Sequence, residues 1–254
     1  MSCIIWNCRG LGNHRAVQEL VDLVQAKAPL LVFLAETWAD EARLNYVKDR
    51  IQFDQKFFVE RINKGGGLAL FWRDGIEVEV ETSSLNHIDA TINKNSDKPW
   101  RFTGFYGNPE TQRRFESWDL LRHLHRQSSL PWLCAGDFNE ITKQTEKAGG
   151  RLRPSNQMQQ FRETLDECGF MDLGFTGFPF TWSKHWQNGF SLWERLDRAV
   201  ASQEWFTYFP GTKVHHIDNT TSDHKFLWIV IADLDFQRGK KLFKFEEMWL
   251  ADKG

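Results

Sequence analysis

One stretch of sequence decides the fold of this chain: Leu133-Cys134-Ala135-Gly136-Asp137-Phe138-Asn139. Its apolar start is typical of a buried strand, and an acid and an amide follow two residues apart. Because side chains alternate between the two faces of a strand, Asp137 and Asn139 are predicted to lie on one face at its C-terminal end. Ligands of α/β proteins bind beside such strand ends, so the stretch indicates a functional site.

Four other apolar runs adjoin polar side chains in the same way. Three of them end at Asn7, Glu36 and Tyr106. The fourth polar group is Ser222-Asp223-His224, which stands just ahead of the apolar run 226–231. Apolar strands that each deliver a polar group to a common edge are typical of metal-assisted hydrolases, so we expect these groups to share a site.

The order of predicted strands and helices favours an α/β (α+β) protein of two mixed sheets with helices outside them. Residues 14–27 repeat apolar side chains with a helical period, and further helices are predicted at 111–126 and 154–168. The helix at 154–168 is expected to be capped by Ser155. The residues of 111–126 expected to face inward are Phe115, Trp118, Leu121, Leu124 and His125.

Between residues 57 and 106 the pattern changes to short strands. They are predicted at 57–59, 68–72, 76–80, 87–92 and 101–106, and together they indicate an antiparallel meander. Gly65-Gly66-Gly67 lacks the Lys-Ser/Thr ending of a phosphate-binding loop and indicates a hairpin turn instead.

Length and composition favour a single domain over residues 1–234. A chain of 254 residues with 41% hydrophobic content can bury one large core. The stretch 235–254 is polar and basic around a few aromatic residues, and we expect a linker or tail there. The four cysteines show no Cys-x-x-Cys pairing, which predicts reduced thiols and an intracellular protein. No signal peptide or membrane-length apolar run is present, so a membrane is not an expected partner.

The overall charge does not indicate a nucleic-acid-binding domain. The net charge is −2 and the isoelectric point is about 6.5, so any contact with DNA is expected to be local. Basic residues cluster at Arg113-Arg114, at Lys143 with Lys147, at Arg151 with Arg153, and at 238–244. Such clusters are more often solvated surface than binding sites.

Phosphodiester hydrolysis needs a divalent cation, a base for the attacking water and donors for the phosphate. Glu36 is a hard oxygen ligand suited to Mg²⁺, although the same residue could instead cap the helix that follows it. Asp137 and Asn139 are predicted to face the scissile phosphate. One of them would handle the attacking water or the leaving oxygen, and the other would orient it.

Asp197 and His224 are the second pair of candidates. Asp197 lies in Arg195-Leu196-Asp197-Arg198 and could orient His224 by accepting the proton of its other ring nitrogen. An acid between arginines is also typical of a surface ion pair. His224 is poorly explained as a core histidine, because Ser222-Asp223-His224 is too polar to bury without a purpose. The other histidines lack ligand spacing, so zinc is not expected.

Taken in order, these motifs resemble the endonuclease/exonuclease/phosphatase superfamily over nearly the whole chain. They are Trp6-Asn7 with Gly10-Leu11, Glu36-Thr37, Tyr106-Gly107, Gly136-Asp137-Phe138-Asn139, Arg195-Leu196-Asp197-Arg198 and Ser222-Asp223-His224. Within that superfamily the chain is most similar to the apurinic-type endonuclease domain of plant LINE-class (non-LTR) retrotransposons. The cues are Trp6-Asn7-Cys8-Arg9-Gly10-Leu11-Gly12, Glu146-Lys147 with Gly149-Gly150-Arg151, Phe180-Thr181-Trp182, Arg195-Leu196-Asp197-Arg198 and the stretch 243–249.

The resemblance implies a four-layered α/β/β/α sandwich and Mg²⁺-dependent cleavage of duplex DNA, with Mn²⁺ as an alternative ion. Cleavage would leave a 3′-hydroxyl, which the reverse transcriptase of such an element uses as a primer in target-primed retrotransposition. The catalytic residues that it implies are Asn7, Tyr106, Asp137, Asn139, Asp197 and His224, and the residues near the metal are Glu36 and Asp223. The residues expected to contact DNA are Thr181, Ser222 and Arg151.

The chain departs from the superfamily's pattern at three places. Arg9 stands where repair-type members carry an acid near the metal, which leaves Glu36 as the main carboxylate. This disfavours a housekeeping role in abasic-site repair. Lys225-Phe226 replaces the small residue and proline that often follow the Ser-Asp-His triplet, and Tyr106-Gly107-Asn108-Pro109 is shifted from the repair enzymes' pattern.

Three functions are therefore compared. The first is a retrotransposon-derived endonuclease that nicks duplex DNA as a monomer, in the nucleus if it acts on chromosomal DNA, from a longer polyprotein with a reverse transcriptase domain. The second is a phosphatase or exonuclease acting on another phosphoester, because the superfamily uses one catalytic set for both substrates. The third is a catalytically decayed remnant that binds DNA, which the presence of every expected catalytic residue disfavours.

Overall fold

A computed structural model describes residues 1–61, 66–187 and 189–232. The α-helices of these residues are α1 (His14–Lys27), α2 (Glu41–Ile51), α3 (Arg114–His125), α4 (Ser155–Glu167) and α5 (Gln203–Tyr208). None of the helices in this part of the chain is both long and apolar enough to cross a membrane. The predicted tail at 235–254 lies outside the described residues.

The strands of the same residues fall into an N-terminal and a C-terminal group. The first group is β1 (Ser2–Asn7), β2 (Leu31–Ala35), β3 (Gln55–Val59), β4 (Leu68–Trp72), β5 (Val78–Ser84), β6 (His87–Ile92) and β7 (Trp100–Tyr106). The second group is β8 (Trp132–Asp137), β9 (Lys147–Ala148), β10 (Phe170–Asp172), β11 (Trp182–His185), β12 (Ser191–Glu194), β13 (Asp197–Ser202), β14 (Lys213–Ile217) and β15 (Phe226–Val230).

Two six-stranded sheets of similar design form the centre of the protein. Their strand orders are β14-β15-β1-β2-β4-β3 and β10-β13-β8-β7-β6-β5. Each sheet has one parallel pair, β1 with β2 and β7 with β8, joined by α1 and by α3 respectively. A hydrogen bond from Asn7 at the end of β1 to Asp137 at the end of β8 shows that the C-terminal ends of both pairs meet at one edge.

Alternating side chains along the central strands build the layers. Cys3 and Ile5 of β1 belong to a buried cluster between the two sheets, whereas Ile4 and Trp6 belong to the cluster beneath α1 and α2. The outer face of the second sheet packs in the same way beneath α3 and α4, through residues such as Cys134. The structure therefore confirms the four-layered α/β/β/α sandwich of two mixed sheets flanked by helices.

Gly104 of β7 lets the two sheets approach closely. A Cβ atom at this position would lie 2.2 Å from Cδ2 of Phe33, whose ring is fully buried between the sheets. Because the interior is packed at high density, a side chain here would push the ring out of the core. Gly104 thus helps to set the spacing of the two sheets.

A third, small sheet lies beside the edge where the strand ends meet. It consists of β11, β12 and β9, with β12 in the middle. An isolated bridge joins Trp182 of β11 to His224, and the backbone N–H of Ser183 donates to the carbonyl of Asp223 at 3.1 Å. The hairpin of β11 and β12 is therefore attached to the segment that carries Ser222-Asp223-His224.

The prediction that the strands between residues 57 and 106 form one antiparallel meander is wrong, because they are divided between the two sheets. Strands β3 and β4 form a hairpin in the first sheet, whereas β5, β6 and β7 lie in the second. The sheets share one core, so the apolar pattern of a strand does not tell which of them it joins. The pattern also did not predict α2, which Asp40 caps by accepting from the backbone N–H of Arg43.

Two details of the predicted helices are corrected as well. Phe115 is 56% exposed and His125 is also exposed, because α3 begins only at Arg114 and its buried stripe runs through Trp118 and the leucines. Helix α4 has Pro154 at its N-cap and no side-chain cap bond, so Ser155 is not the cap. The fixed φ of proline prepares the chain for a helix without a capping hydroxyl.

All four cysteines are buried and unpaired, in agreement with the predicted thiols.

His87, at the start of β6, is buried in its neutral form. Its ring nitrogens lie 3.0 Å from the hydroxyl of Thr82 and 2.8 Å from that of Ser84. Burial is the main cause that lowers the pKa of His87 from 6.5 to about 4; Arg101 adds to this effect and Asp89 opposes it.

We predict a loss of stability in acid from this histidine. The unfolded chain takes up a proton near pH 6.5 and folded His87 only near pH 4, so folding becomes less favourable as the pH falls through that window. Between pH 6.5 and about pH 4, the free energy of unfolding measured with urea should fall by on the order of 3 kcal/mol more in the wild type than in His87→Gln, whose side chain cannot titrate. An equal decline in both proteins would contradict the prediction.

Candidate active site

The strand ends place three polar side chains opposite one another. Asn7 follows Ile5 on the face of β1 that packs against the second sheet, and Asp137 follows Ala135 on the corresponding face of β8. Asp197 begins β13 directly opposite Asp137 in antiparallel register. Alternate side chains of these strands point into the core, and the last of them are polar. These polar side chains therefore lie at the edge of the core where the strands end.

The side-chain amide of Asn7 joins the two sheets at this edge. Its Nδ2 donates to Oδ2 of Asp137 and to Oε1 of Glu36, in both cases at 2.9 Å. Its Oδ1 accepts from the backbone N–H of Arg9 at 3.2 Å, and Nδ2 lies 3.5 Å from Nε2 of His224. These bonds fix the orientation of the amide, so a donor is held beside several ionisable groups.

Glu36 has one oxygen engaged with the protein and the other available. Oε1 accepts from Asn7 and from the hydroxyl of Tyr106, each at 2.9 Å, and no described residue donates to Oε2. Burial, with the nearby charges of Glu36 and Asp137, raises the pKa of Tyr106, so its hydroxyl stays protonated and can donate. Because Asp40 caps α2, the alternative role of Glu36 as a helix cap does not apply.

His224 lies between two carboxylates. Its Nδ1 is 2.8 Å from Oδ2 of Asp197, and its Nε2 is 3.7 Å from Oδ2 of Asp137. Burial by itself would lower the pKa of His224, but the two carboxylates outweigh it and raise the pKa to about 10. The ring is therefore positively charged at neutral pH, with protons on both nitrogens.

Asp137 is the carboxylate best placed to accept a proton. Burial raises its pKa to about 7, although His224 and Asn7 favour the charged form. Its Oδ1 accepts from the backbone N–H of Asn139 at 2.8 Å, and Asn139 in turn donates its side-chain amide to the carbonyl of Gly107. A carboxyl group with a pKa near neutrality is suited to general acid–base catalysis.

A cleft of about 370 Å³ is lined by three of these residues, Glu36, Asn139 and His224. Four of its lining residues have a left-handed backbone although they are not glycine: Arg9 (φ 47°), Glu36 (φ 52°), Trp38 (φ 48°) and Asn139 (φ 56°). Such a conformation is sparsely populated and costs on the order of 1–3 kcal/mol for each residue. Strain of this kind concentrates at functional sites, which supports the cleft as the active site.

Two hydroxyl residues that the resemblance assigns to DNA contact form hydrogen bonds within the protein. Thr181 has no exposed surface, and its hydroxyl accepts from the backbone N–H groups of Asp197 and of the preceding residue. The hydroxyl of Ser222 donates to the carbonyl of Asn7 and accepts from the backbone N–H of His224. Both hydroxyls therefore bond to the backbone of the segments that hold Asp197 and His224, and the buried one is not available to a phosphate. The predicted contact of Ser222 with DNA stays a prediction.

Thr181→Val is expected to loosen Asp197. Valine preserves the shape of threonine but leaves two buried N–H groups without an acceptor, which should lower the free energy of unfolding by about 1–3 kcal/mol. Thr181→Ser keeps the hydroxyl and is the control. Urea denaturation of both variants tests this prediction, and a valine variant at least as stable as the serine variant would refute it.

The arginines that flank Asp197 form a buried ion network. Arg198 has no exposed surface and pairs with Glu146 at 2.8 Å and with Asp172 at 2.9 Å. Arg195 pairs with the same two acids at 3.1 and 2.8 Å. Asp197 is itself buried and bonds to the histidine ring, so the alternative of a surface ion pair does not apply. The network anchors β13 and with it the position of Asp197.

Asp223 lies on the wall of the cleft. Its Oδ2 accepts from Nε1 of Trp182 at 3.0 Å and forms an ion pair with Arg9, whereas its Oδ1 is buried without a hydrogen-bond partner. The predicted location of Asp223 near a metal stays a prediction.

The cleft also contains residues that the sequence did not predict as site residues. They are Trp38, Arg114, Arg153, Trp182, Glu194 and Leu196. Arg151, the predicted DNA contact, is exposed and is not among the residues that line the cleft, whereas Arg153 is. The basic cluster at 151–153 was the available signal, but side-chain direction in a loop is not encoded by spacing.

Two groups of residues were compared as metal ligands. Among the described residues, Asp137, Asp197 and His224 offer atoms within 4.8 Å of one another. Nδ1 of His224 is already paired with Asp197 at 2.8 Å, and Oδ2 of Asp137 accepts from Asn7, so this group fits proton transfer better than metal binding. Glu36 instead directs a free hard oxygen to the open cleft. Mg²⁺ takes few carboxylates and keeps several waters, so this position fits it.

Comparison with known proteins agrees with this geometry. The Endonuclease/Exonuclease/phosphatase family matches residues 4–224. The endonuclease domain of TRAS1, a telomere-specific non-LTR retrotransposon, has a similar structure, with a TM-score of 0.70, 14% identity, and 92% of this chain and 99% of that chain covered. An AP endonuclease from Archaeoglobus fulgidus has a TM-score of 0.70 at 14% identity, with 91% and 99% covered.

A 3′-5′ exonuclease from Neisseria meningitidis has a TM-score of 0.69 at 15% identity, with 91% of this chain and 99% of that chain covered. None of the curated protein sequences compared with the chain matches it. The family match includes every strand end that contributes to the cleft and confirms the prediction of a hydrolytic enzyme. The chain therefore belongs to the endonuclease/exonuclease/phosphatase family.

Proposed function

We propose that this protein is a Mg²⁺-dependent endonuclease that nicks duplex DNA and leaves a 3′-hydroxyl. The observation that carries the proposal is the buried carboxylate of Asp137, held between the amide of Asn7 and the ring of His224, which lines an open cleft. With the free oxygen of Glu36 nearby, the cleft combines a base, hydrogen-bond donors and a hard ligand. These are the groups that phosphodiester hydrolysis requires.

Asp137 accepts the proton of the attacking water in this mechanism. The water oxygen bonds to phosphorus, the bond between phosphorus and the 3′ oxygen breaks, and the leaving 3′ oxygen takes a proton from solvent in the open cleft to become the 3′-hydroxyl. His224 donates a hydrogen bond to a phosphate oxygen, whose negative charge must be stabilised in the transition state. The amide of Asn7 and the hydroxyl of Tyr106 hold Asp137 and Glu36 in position. Asp197 keeps the imidazole of His224 charged and correctly oriented.

Glu36 would hold the Mg²⁺ ion through its free oxygen, with Mn²⁺ as an alternative. The bound ion would neutralise charge on the phosphate as a Lewis acid. Asn7 and Tyr106 both donate to the other oxygen of Glu36 and so fix the carboxylate before the ion arrives. Such preorganisation is what the ligands of a metal site need.

A DNA substrate is supported by the cleft and by the related structures. The cleft is open at the edge of the sandwich and is lined by Trp38 and Trp182, of which Trp38 is 37% exposed. A Neisseria 3′ phosphatase of similar fold is bound to a product DNA hairpin, and another relative in fold is a retrotransposon endonuclease. We therefore propose a monomer that acts in the nucleus in target-primed retrotransposition, within a polyprotein that includes a reverse transcriptase.

The proposal is tested by incubating supercoiled plasmid with the purified protein and Mg²⁺. Open circles are expected with Mg²⁺ and not with EDTA. A DNA polymerase should extend the nicks without prior end processing, because each nick carries a 3′-hydroxyl. Glu36→Gln is expected to lose the nicking activity and to require more Mg²⁺ for any that remains.

Parallel measurements separate the alternative functions. An intact plasmid together with release of nitrophenolate from p-nitrophenyl phosphate would favour a phosphatase acting on small phosphoesters. An intact plasmid that the protein still retards in a gel would favour a decayed DNA-binding remnant. Either result would overturn the proposed nicking activity.

A further inference from the structure

Arg9 places a guanidinium group on the wall of the cleft. Its left-handed backbone is fixed by a hydrogen bond from its N–H to Oδ1 of Asn7 at 3.2 Å. Its side chain is 54% exposed, and Nη1 forms an ion pair with the carboxylate of Asp223. The other two guanidinium nitrogens form no hydrogen bond with a described residue, so they are free to bind a ligand in the cleft.

Asp223 is held in place from the opposite side. Its Oδ2 accepts from the indole N–H of Trp182 at 3.0 Å, and its backbone carbonyl accepts from Ser183 at 3.1 Å. The carboxylate is only 19% exposed. A carboxylate that is fixed by a neighbouring strand can orient the arginine with which it pairs.

The other arginines of the cleft already have carboxylate partners. Arg114 pairs with Glu140 at 2.6 Å, and Arg153 pairs with Glu140 at 3.0 Å and with Glu194 at 2.7 Å. Their side chains are 10% and 15% exposed. Among the arginines that line the cleft in the described part of the chain, Arg9 is therefore the most accessible.

We propose that Arg9 binds a non-bridging phosphate oxygen of DNA in this cleft, and that Asp223 is the residue that positions its guanidinium. The inference rests on the proposed function and extends it to a substrate-binding residue. A phosphate that enters the cleft meets the negative charge of Glu36, and the guanidinium that lines the same cleft offsets it. In this arrangement Asp223 serves Arg9 rather than a second metal ion.

The planar guanidinium makes this role specific to arginine. One nitrogen bonds to Asp223, and the remaining nitrogens present donors in the same plane toward the phosphate. The ammonium group of lysine is a single charged centre without a planar set of donors, so it cannot bind the carboxylate of Asp223 and the phosphate in one fixed plane. We therefore expect Arg9→Lys to recover only part of the function of Arg9.

The first test measures DNA binding without metal or catalysis. Fluorescence anisotropy of a fluorescein-labelled DNA duplex in EDTA should show about tenfold weaker binding for Arg9→Met at low salt. The slope of log affinity against log salt concentration should fall by about one, as expected for one lost phosphate contact. Asp223→Asn should weaken binding in the same direction, and Arg9→Lys should be intermediate.

Arg113→Met is the matched control. Arg113 is 56% exposed and pairs with one acid, Glu116, but it does not line the cleft. The Arg113→Met variant should bind the duplex as tightly as the wild type does. Far-UV circular dichroism and thermal unfolding of each variant identify any loss of folding. A folded Arg9→Met that binds the duplex as tightly as Arg113→Met would overturn the proposal.

A calorimetric titration with Mn²⁺ tests the role of Asp223. Asp223→Asn should leave Mn²⁺ affinity within about twofold of the wild type, whereas Glu36→Gln should lower it by about tenfold or more. A loss of Mn²⁺ affinity in Asp223→Asn as large as that in Glu36→Gln would overturn the assignment of Asp223 to Arg9.

The two proposals fail in different ways. If the wild type does not nick plasmid but Arg9→Met still weakens duplex binding, the assignment of Arg9 is supported and the nicking activity is overturned. If the wild type nicks plasmid and Arg9→Met binds and cleaves normally, only the assignment of Arg9 is overturned.

Discussion

Asp137→Asn is expected to slow plasmid nicking by roughly 10²–10⁴-fold, the range that general acid–base catalysis usually contributes. The amide has the shape of the carboxyl group but does not accept the proton of the attacking water. Asn7 and His224 would still surround the position. The initial rate at which supercoiled plasmid is lost at saturating Mg²⁺ is the measurement.

His224→Ala should cause a loss of similar size, because it removes the charged donor next to Asp137. The double variant should be little slower than either single variant, since residues that act as a unit give non-additive effects. His125→Ala, at an exposed position on α3, is the control and should nick at the wild-type rate. An Asp137→Asn rate within a few fold of the wild type would remove Asp137 from the role of base.

Arg198→Ala should produce the largest loss of stability, about 3–5 kcal/mol in the free energy of unfolding. Arg198 is fully buried, and its removal leaves Glu146 and Asp172 with less opposing charge inside the protein. Burial alone would raise the pKa values of both acids, but the arginines outweigh it and lower them. Both acids therefore stay charged at neutral pH and need their partner.

Urea denaturation compares this variant with Arg122→Ala. Arg122 also pairs with two acids, Asp119 and Glu167, but at the surface, and its loss should cost less than about 1 kcal/mol. Similar free energies of unfolding for both variants would contradict a structural role for the buried network. An acid whose pKa is lower in the folded than in the unfolded protein stabilises the fold above its unfolded pKa, and this stabilisation is lost as the pH falls through its folded pKa. Because Arg198 lowers the pKa values of both acids, the wild type should also resist mild acid better than Arg198→Ala.

Much of the fold follows from local pattern. The helix at 14–27 and the strands at 68–72 and 87–92 have the bounds that the sequence pattern predicts. The helix has one buried face, and the two strands are buried on both faces. The division of the meander between two sheets could not be predicted in this way, since both sheets face one core. Helix α2 has only a weak apolar stripe, although Asp40 was a readable capping signal.

The meeting of Asn7 and Asp137 at one edge was predictable because both end strands whose direction is fixed by the core. Asn7 and Asp137 continue the inward faces of β1 and β8, so their meeting follows from alternation. The direction of Thr181 was not predictable, because its burial depends on a backbone turn near Asp197. Trp38 and Arg153 reach the cleft from loops, where no periodicity indicates the side-chain direction.

The left-handed residues around the cleft set a limit on how this enzyme can be made more heat-resistant. Glycine adopts such a backbone without strain, so glycine at position 9, 36, 38 or 139 would relieve the conformational cost. The same changes would delete side chains that line the cleft. Directed evolution that selects only for thermal stability should therefore yield a more stable but inactive protein. A library designed for stabilisation should keep these four positions constant and vary the others.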